Sequence, residues 1–446
     1  MRLTKWLGHP ARVIPAAYLV AIAVGTLLLL LPIAAQDGRP PGLLEASFTA
    51  VSALCITGLT IVDTATYWSP FGQVVIMLLI QVGGYGIVTL ATVFTLAATG
   101  RLSLQTSILA REELHQRSLA DALRLPGRIG IIMLAAEAVT AVVLTFSFRP
   151  HSADWGTAAW YGVFHAVSAF NNAGFALFSD NLIGFVGNAS IIVPICVAIV
   201  VGGIGFPVLF ELGRRWRPRS WRNLSAHARL TLGGTLVLLV AGAIVFAIAE
   251  WTNPRTLGPM PLGDKLLATL AGSVFPRTAG FNSIDYGAAT EATLGLYYLL
   301  MFIGGGSAGT AGGIKVGTVG IILATVAAEL RAENQVRVAH RAIPRQAQRS
   351  ALTVATLALA TVTLATAFIV ADDRFTLAQV LFETLSAFGT VGLTTGITPY
   401  LHPESQVVLM LLMYLGRVGT ISIATALALR GRHRRFRLPE EQPIVG

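Results

Sequence analysis

Four short stretches of this chain could do chemistry, and each ends on a glycine: Ile56, Thr57 and Gly58; Asn172, Ala173 and Gly174; Thr278, Ala279 and Gly280; Thr390, Val391 and Gly392. They contain no strong acid, base or nucleophile. What they offer is backbone. Glycine tolerates positive φ and lets other chain segments approach closely, so a turn built on it can aim consecutive carbonyl oxygens to one side. Rings of carbonyl oxygens can replace the water around a cation. The implied chemistry is stripping an ion of its hydration shell, and backbone oxygens, more than side chains, are the expected ligands.

Spacing gives the four stretches a common origin. Their glycines lie 116, 106 and 112 residues apart. Phe48, Phe164 and Phe382 stand ten residues before their glycine, and Ser52, Ser168 and Ser386 six before. The third stretch matches least well, with Ser273 displaced by one. Self-similarity at a steady period marks a repeated structural unit.

Composition says where the units sit. Of 446 residues, 54% are hydrophobic and only 12% charged, and the mean hydropathy is +0.69. Each unit opens with a full apolar span (13–34, 128–148, 230–249, 351–371) and closes with another (71–99, 185–210, 293–328, 405–429). A helix of about 20 residues, rising ~1.5 Å each, crosses a ~30 Å hydrocarbon core. Between the spans lies a shorter apolar piece that ends near the glycine. At about a dozen residues it is too short to cross and suits a re-entrant half-helix. Residues 13–34 are too long for a signal peptide and lack a cleavage site, so they read as the first span.

Most of the 32 Lys and Arg fall in five clusters, at 2–12, 101–128, 214–229, 331–349 and 430–437. Short basic loops stay on the cytoplasmic side. The chain then makes four excursions from the cytoplasm, with both termini inside, and its net charge of +10 calls for no nucleic acid. The expected fold is an all-α multi-pass protein of the cell membrane. Four span–pore-loop–span repeats with pseudo-fourfold symmetry would surround one path, giving eight spanning helices and four half-helices. The expected units are 1–100, 128–213, 229–329 and 350–429. Cytoplasmic segments at 101–127, 214–228 and 330–349 join them, and a tail at 430–446 follows. Non-helical backbone at membrane depth must be buried or line water. Half-helices ending at the axis also bring partial negative charge there.

The stretches "SALCITGLTIVDTATY", "NNAGF", "RTAGFNS" and "GTVGLTTGIT" resemble the pore motifs of the Trk/Ktr/HKT superfamily of potassium-translocating subunits. Two spans per repeat, with no extra N-terminal pair, resemble its KtrB branch more than the longer TrkH type. The resemblance covers nearly the whole chain. It implies K⁺ as the transported ion, with Na⁺ as a candidate activating or coupled ion. One glycine per repeat in place of the fuller TVGYG of potassium channels implies weaker discrimination between the two. It further implies a homodimer with one pore per subunit, and a separate KtrA-like cytosolic ring that binds ATP or ADP.

Two further features lie below the four stretches. "GGGSAGTAGGIK" holds Gly304, Gly305, Gly306, Ser307, Gly309, Thr310, Gly312, Gly313 and Lys315. Glycine costs a helix ~1 kcal/mol relative to alanine, so this density should break the third repeat's last helix into a loop across the pore at 304–313. The resemblance implies the same, an intramembrane gating loop at this place. Small-residue helix packing is the competing reading, since "GGYG" and "GGIG" occupy similar places in other repeats. A phosphate-binding loop is excluded, because Ile314 and Val316 flank Lys315. Arg417 falls near the middle of the last span, where a charge is costly and usually functional. Its guanidinium could hold the loop closed by binding loop carbonyls, a role the resemblance also implies.

Among the remaining polar residues, Lys315 either serves the loop or reaches the cytoplasmic interface. Glu137 either binds a coupling cation or pairs with a neighbouring helix, and His165 reads as a packing or hydrogen-bonding residue. Cys55 and Cys196 read as small apolar fillers. Residues 100–127 carry a mixed apolar and charged pattern that suits either a solvated linker or a docking surface for a partner. Two functional classes compete with a gated K⁺ pathway. A Na⁺-coupled K⁺ symporter with alternating access would show broken helices in corresponding halves, whereas only one helix in four reads as strongly broken. A membrane enzyme would need clustered His, Asp, Glu or Cys, and the eight histidines are scattered.

Overall fold

In the computed structural model, residues 10–86, 119–214, 224–338, 341–372 and 374–419 are described. Most of the 101–127 connector, residues 215–223, the ends of the first and fourth repeats' last spans, and the 430–446 tail lie outside them.

The first repeat comprises α1 (Pro10–Leu29), α2 (Leu43–Leu54) and α3 (Pro70–Tyr85). The second comprises α4 (Leu119–Phe148), α5 (Trp155–Phe170), α6 (Ala189–Ile204) and α7 (Phe206–Arg214). The third has α8 (Ala226–Glu250), α9 (Leu262–Val274), α10 (Glu291–Phe302) and α11 (Val316–Leu330). The fourth has α12 (Arg345–Asp372), α13 (Leu377–Gly389) and α14 (Pro403–Tyr414). A two-residue hairpin, Arg337–Val338 with Arg341–Ala342, lies between α11 and α12.

By length and composition, three described helices can cross a bilayer: Pro126–His151, Ala226–Glu250 and Arg345–Asp372. The α6–α7 pair qualifies only if its 96° bend is counted as one broken span. The long helices turn apolar side chains outward, among them Leu134, Val139, Val237, Ile248, Leu359 and Leu364. Apolar area of this extent marks a surface meant for a non-aqueous neighbour.

The short helices α2, α5, α9 and α13 are 12, 16, 13 and 13 residues long. Each has a reason to start where it does. The Asp154 side chain accepts the Thr157 N–H to cap α5. Thr376 and Gln379 form a reciprocal capping box on α13. Glu45 and Asp264 place a carboxylate in the first turns of α2 and α9.

One expectation fails. The last span of the third repeat is not the only one interrupted. α3 ends at Tyr85 with Gly86 at φ +84°, and α6 bends into α7 at Gly205, φ +99°. α14 continues without a break into a π-helical turn at Leu415–Gly419, a local change of pitch. The physical reason is packing against the half-helices. A Cβ added at Gly83, Gly202 or Gly416 would fall within 3 Å of the carbonyls of Leu54, Phe170 and Phe388, all near half-helix ends. Small residues admit this approach, and the glycines that follow admit the turn away from it. In the first, second and fourth repeats the glycine pattern is therefore a helix-packing device.

Candidate functional site

The four glycine turns converge. A Cβ placed on Gly58 would fall within 3 Å of the carbonyl oxygen of Ala173, and one on Gly174 within 3 Å of that of Ala279. Gly280 stands in the same relation to Val391, and Gly392 to Thr57. The series closes on itself: the first repeat meets the second, the second the third, the third the fourth and the fourth the first. The middle residue of each stretch supplies the carbonyl that faces its neighbour's glycine. All twelve residues of the four stretches thus belong to one cluster.

Backbone conformation repeats as faithfully as position. Gly58, Gly174, Gly280 and Gly392 have φ of +89°, +72°, +70° and +95°. Two residues earlier, Ile56, Asn172, Thr278 and Thr390 have φ of +57°, +59°, +64° and +48°. Positive φ at non-glycine residues costs ~1–3 kcal/mol each and collects at functional sites. Here it falls at the same place in every repeat, alternating with the glycine to turn successive peptide units.

The aligned serines hold these turns from behind. Ser52 Oγ accepts the Gly58 N–H, and Ser386 Oγ the Gly392 N–H, each at 3.1 Å. The backbone carbonyls of Ser52, Ser168 and Ser386 accept the N–H of Thr57, Ala173 and Val391 at 2.7–2.8 Å. Ser168 departs in part, since its Oγ donates to the Phe175 carbonyl at 2.7 Å. In the third repeat the displaced Ser273 instead donates to the Leu239 carbonyl on α8, and Phe275 receives the Ala279 N–H. The hydroxyls of Thr57, Thr278 and Thr390 are buried with no hydrogen-bond partner among the described residues.

The glycine-rich loop lies against this cluster. Gly304 N–H donates to the Ile314 carbonyl at 2.8 Å, closing the loop at its base. On one side the loop follows the break in the second repeat: Gly306 and Thr310 donate to the carbonyls of Gly203 and Gly202, and Phe206 donates to that of Ala308. Thr310 Oγ1 also hydrogen-bonds the side-chain amide of Asn172 at 2.9 Å. On the other side, a Cβ added at Gly312 would fall within 3 Å of Thr390 Oγ1. A side chain at Gly304, Gly305, Gly306 or Gly309 would likewise collide with neighbouring atoms, while Gly313 turns at φ +61°. Ser307 stands next to the break, its carbonyl facing Gly205.

Arg417 completes the contact. Buried in the π-helical turn, it donates from Nη1 to the Thr310 carbonyl and from Nη2 to the Gly83 carbonyl, the latter at 2.9 Å. Lys315 is half-buried at the end of the loop. Its Nζ folds back to donate to the carbonyls of Ala311 and Gly312 at 2.5 and 3.3 Å. Glu137 pairs across helices: it accepts from Gln81 Nε2 at 2.8 Å and from Asn171 Nδ2 at 2.9 Å. No group of three or more His, Cys, Asp or Glu suited to a metal ion occurs among the described residues. Both cysteines are buried and free.

Glu383 is a further buried acid beside the filter turns, absent from the candidates above. Fully buried on α13, it accepts from Thr394, Thr395 and Thr398 at 2.7–3.2 Å. An acid inside the apolar "LFETLSAFG" was the available signal.

A family profile described as TrkH, a cation transport protein, matches residues 9–432. Over its full length the chain is 36% identical to the Ktr system potassium uptake protein B of Bacillus subtilis, covering 99% of that protein. It is 35% identical to the potassium/sodium uptake protein NtpJ of Enterococcus hirae, again covering 99%. The fold matches the crystal structure of the potassium transporter TrkH from Vibrio parahaemolyticus, with a TM-score of 0.72 over 95% of this chain and 85% of that one at 17% identity. The breadth of the profile match and the full-length identity place this chain in the TrkH family of cation transport proteins.

Proposed function

We propose that the chain takes up K⁺ across the cell membrane through a carbonyl-lined filter, and that the glycine-rich loop gates it. The observation that carries this reading is the closed ring of facing glycines and carbonyls among the four turns. An ion entering from outside exchanges water for the backbone oxygens of Ile56, Thr57 and Gly58 and their counterparts in the other repeats. The C-terminal ends of α2, α5, α9 and α13 add partial negative charge there. An inside-negative potential favours entry by ~2.3 kcal/mol per charge per 100 mV.

Beneath the ring, residues 304–313 stand across the path. Arg417 fastens them to α3 and adds a positive charge that a permeating cation must pass. Eight spans, both termini cytoplasmic, and a homodimer docked on a KtrA-like ring that binds ATP or ADP complete the proposal. The name of the E. hirae relative supports Na⁺ as an activating or coupled ion.

The test is uptake in a strain lacking its own K⁺ transport, at micromolar to millimolar K⁺, with parallel ⁸⁶Rb⁺ flux with and without Na⁺. Growth rescue with flux down the gradient in either condition supports a gated pathway. Flux that requires Na⁺ in fixed ratio assigns a Na⁺-coupled K⁺ symporter instead, and failure to rescue removes the K⁺ reading.

A further inference from the structure

Nine residues before each filter glycine, the half-helix carries Thr49, His165, Ala271 and Glu383. Three residues after each glycine come Ile61, Leu177, Ser283 and Thr395. In the second repeat the Leu177 N–H donates to His165 Nε2 at 3.3 Å. In the fourth, the Thr395 N–H donates to Glu383 Oε1 at 2.9 Å. Two unrelated side chains at the same repeat position thus accept the same backbone N–H. Ala271 has no polar atom to offer, and Thr49 Oγ1 is buried without a partner among the described residues. The ring order puts the second and fourth repeats opposite each other. The two turns held by a half-helix side chain therefore face one another across the axis; between them, the third repeat's chain is held differently, the Asn282 N–H donating to Asn181 Oδ1 at 3.1 Å.

Both acceptors are built for this. The Tyr161 carbonyl can only accept, so the 2.7 Å contact makes His165 Nδ1 the protonated nitrogen. Nε2 then keeps its lone pair for Leu177. The ring is fully buried, stacked on Phe178 at 5.1 Å and tilted against Phe148 at 5.2 Å. Glu383 is buried as completely, and it also accepts from the hydroxyls of Thr394 and Thr395 at Oε1 and of Thr398 at Oε2. Carboxylates that accept several bonds hold their donors firmly.

Resting on the ion-filter reading above, we propose that His165 and Glu383 are positioning residues for ion selection. Neither touches the ion. Each fixes the chain just outside a filter turn, so that the Gly174 and Gly392 peptide units cannot relax outward or inward around a smaller cation. Among the described residues the first and third turns have no half-helix acceptor at this position, and discrimination depends on the opposed second and fourth.

The test compares K⁺ uptake, with and without competing Na⁺, in proteoliposomes of the full-length protein. Variants are His165→Leu, Glu383→Leu, the acceptor-retaining His165→Gln and Glu383→Gln, Thr49→Val as a first-repeat control, and Gly392→Ser as a filter control. The expected result is a fall of about tenfold in K⁺ preference over Na⁺ for each leucine variant, the size of one lost hydrogen bond to a charged or polarised acceptor. The glutamine variants retain most of the preference, and Thr49→Val leaves it unchanged.

If a leucine variant does not reach the membrane, Glu383→Asp tests the same contact, being one methylene too short to hold the Thr395 N–H. Unchanged preference in the folded His165 and Glu383 variants, alongside a changed Gly392→Ser, overturns this proposal alone. Unchanged preference in Gly392→Ser as well overturns the filter reading beneath it.

Discussion

Arg417 and Gly83, 334 residues apart in sequence, meet where the guanidinium Nη2 donates to the glycine carbonyl at 2.9 Å. The same guanidinium donates from Nη1 to Thr310 in the glycine-rich loop. One side chain thereby bridges the fourth repeat, the first repeat and the loop. The planar fork of arginine presents two donors in fixed geometry, which a lysine cannot reproduce.

Arg417→Ala is therefore expected to raise K⁺ flux measured without any regulatory partner. One charge-assisted hydrogen bond of ~1.5–3 kcal/mol ties Arg417 to the loop, and a second anchors the guanidinium on α3, so the basal rate should rise at least about tenfold. Arg417→Lys should fall between wild type and alanine. Basal ⁸⁶Rb⁺ flux in proteoliposomes decides the matter, and an unchanged rate in Arg417→Ala removes the latch.

Deleting residues 305–312 should raise basal flux as well. If the arginine acts by holding this loop, the two changes share one mechanism and do not add. The deletion combined with Arg417→Ala should then match the deletion alone within about twofold. A multiplicative gain would mean that Arg417 blocks ions by its own charge, independently of the loop.

The repeats and their glycine turns were legible because their signals are local: apolar lengths, a fixed spacing and a residue type that permits the turn. The loop was legible for the same reason, since six glycines in twelve residues cannot make a stable helix. The other interruptions were hidden. "GGYG" and "GGIG" sit in apolar runs that look continuous by hydropathy, and their breaks arise from contact with half-helices some 30 residues earlier in the chain. The positive φ at Ile56 was equally invisible, because a β-branched residue gives no hint of it. Arg417 stood out as a charge at membrane depth, but its two partners lie 107 and 334 residues away, and no local pattern could name them.

Gly392→Ser should weaken the preference for K⁺ over Na⁺. The residue has φ +95°, and a Cβ there would fall within 3 Å of the Thr57 carbonyl in the facing turn. The substitution must displace one of the oxygens proposed to bind the ion. Gly396→Ser is the matched control: it also has positive φ, at +90°, but its Cβ would meet nothing within 4 Å. Backbone strain alone predicts similar loss in both, whereas a displaced carbonyl predicts loss in Gly392→Ser only. Na⁺ competition against K⁺ uptake separates the two.

Glu137 tests whether an acid within the membrane serves transport or architecture. It joins α4 to α3 through Gln81, and to the end of α5 through Asn171, which directly precedes the filter residue Asn172. Replacing it with leucine takes the acceptor from the half-buried Gln81 amide, at ~1–3 kcal/mol, while Asn171 Nδ2 keeps the Val167 carbonyl and Gln81 Oε1. The purified protein should then unfold at lower temperature in detergent, while the Na⁺ dependence of any remaining flux stays as in wild type. Glu137→Gln keeps one acceptor oxygen and should lose about half as much stability. A coupling-ion site predicts the reverse: near-normal thermal stability in the glutamine variant, with its response to Na⁺ abolished. Thermal unfolding and Na⁺-dependent ⁸⁶Rb⁺ uptake on the same preparations distinguish the two roles.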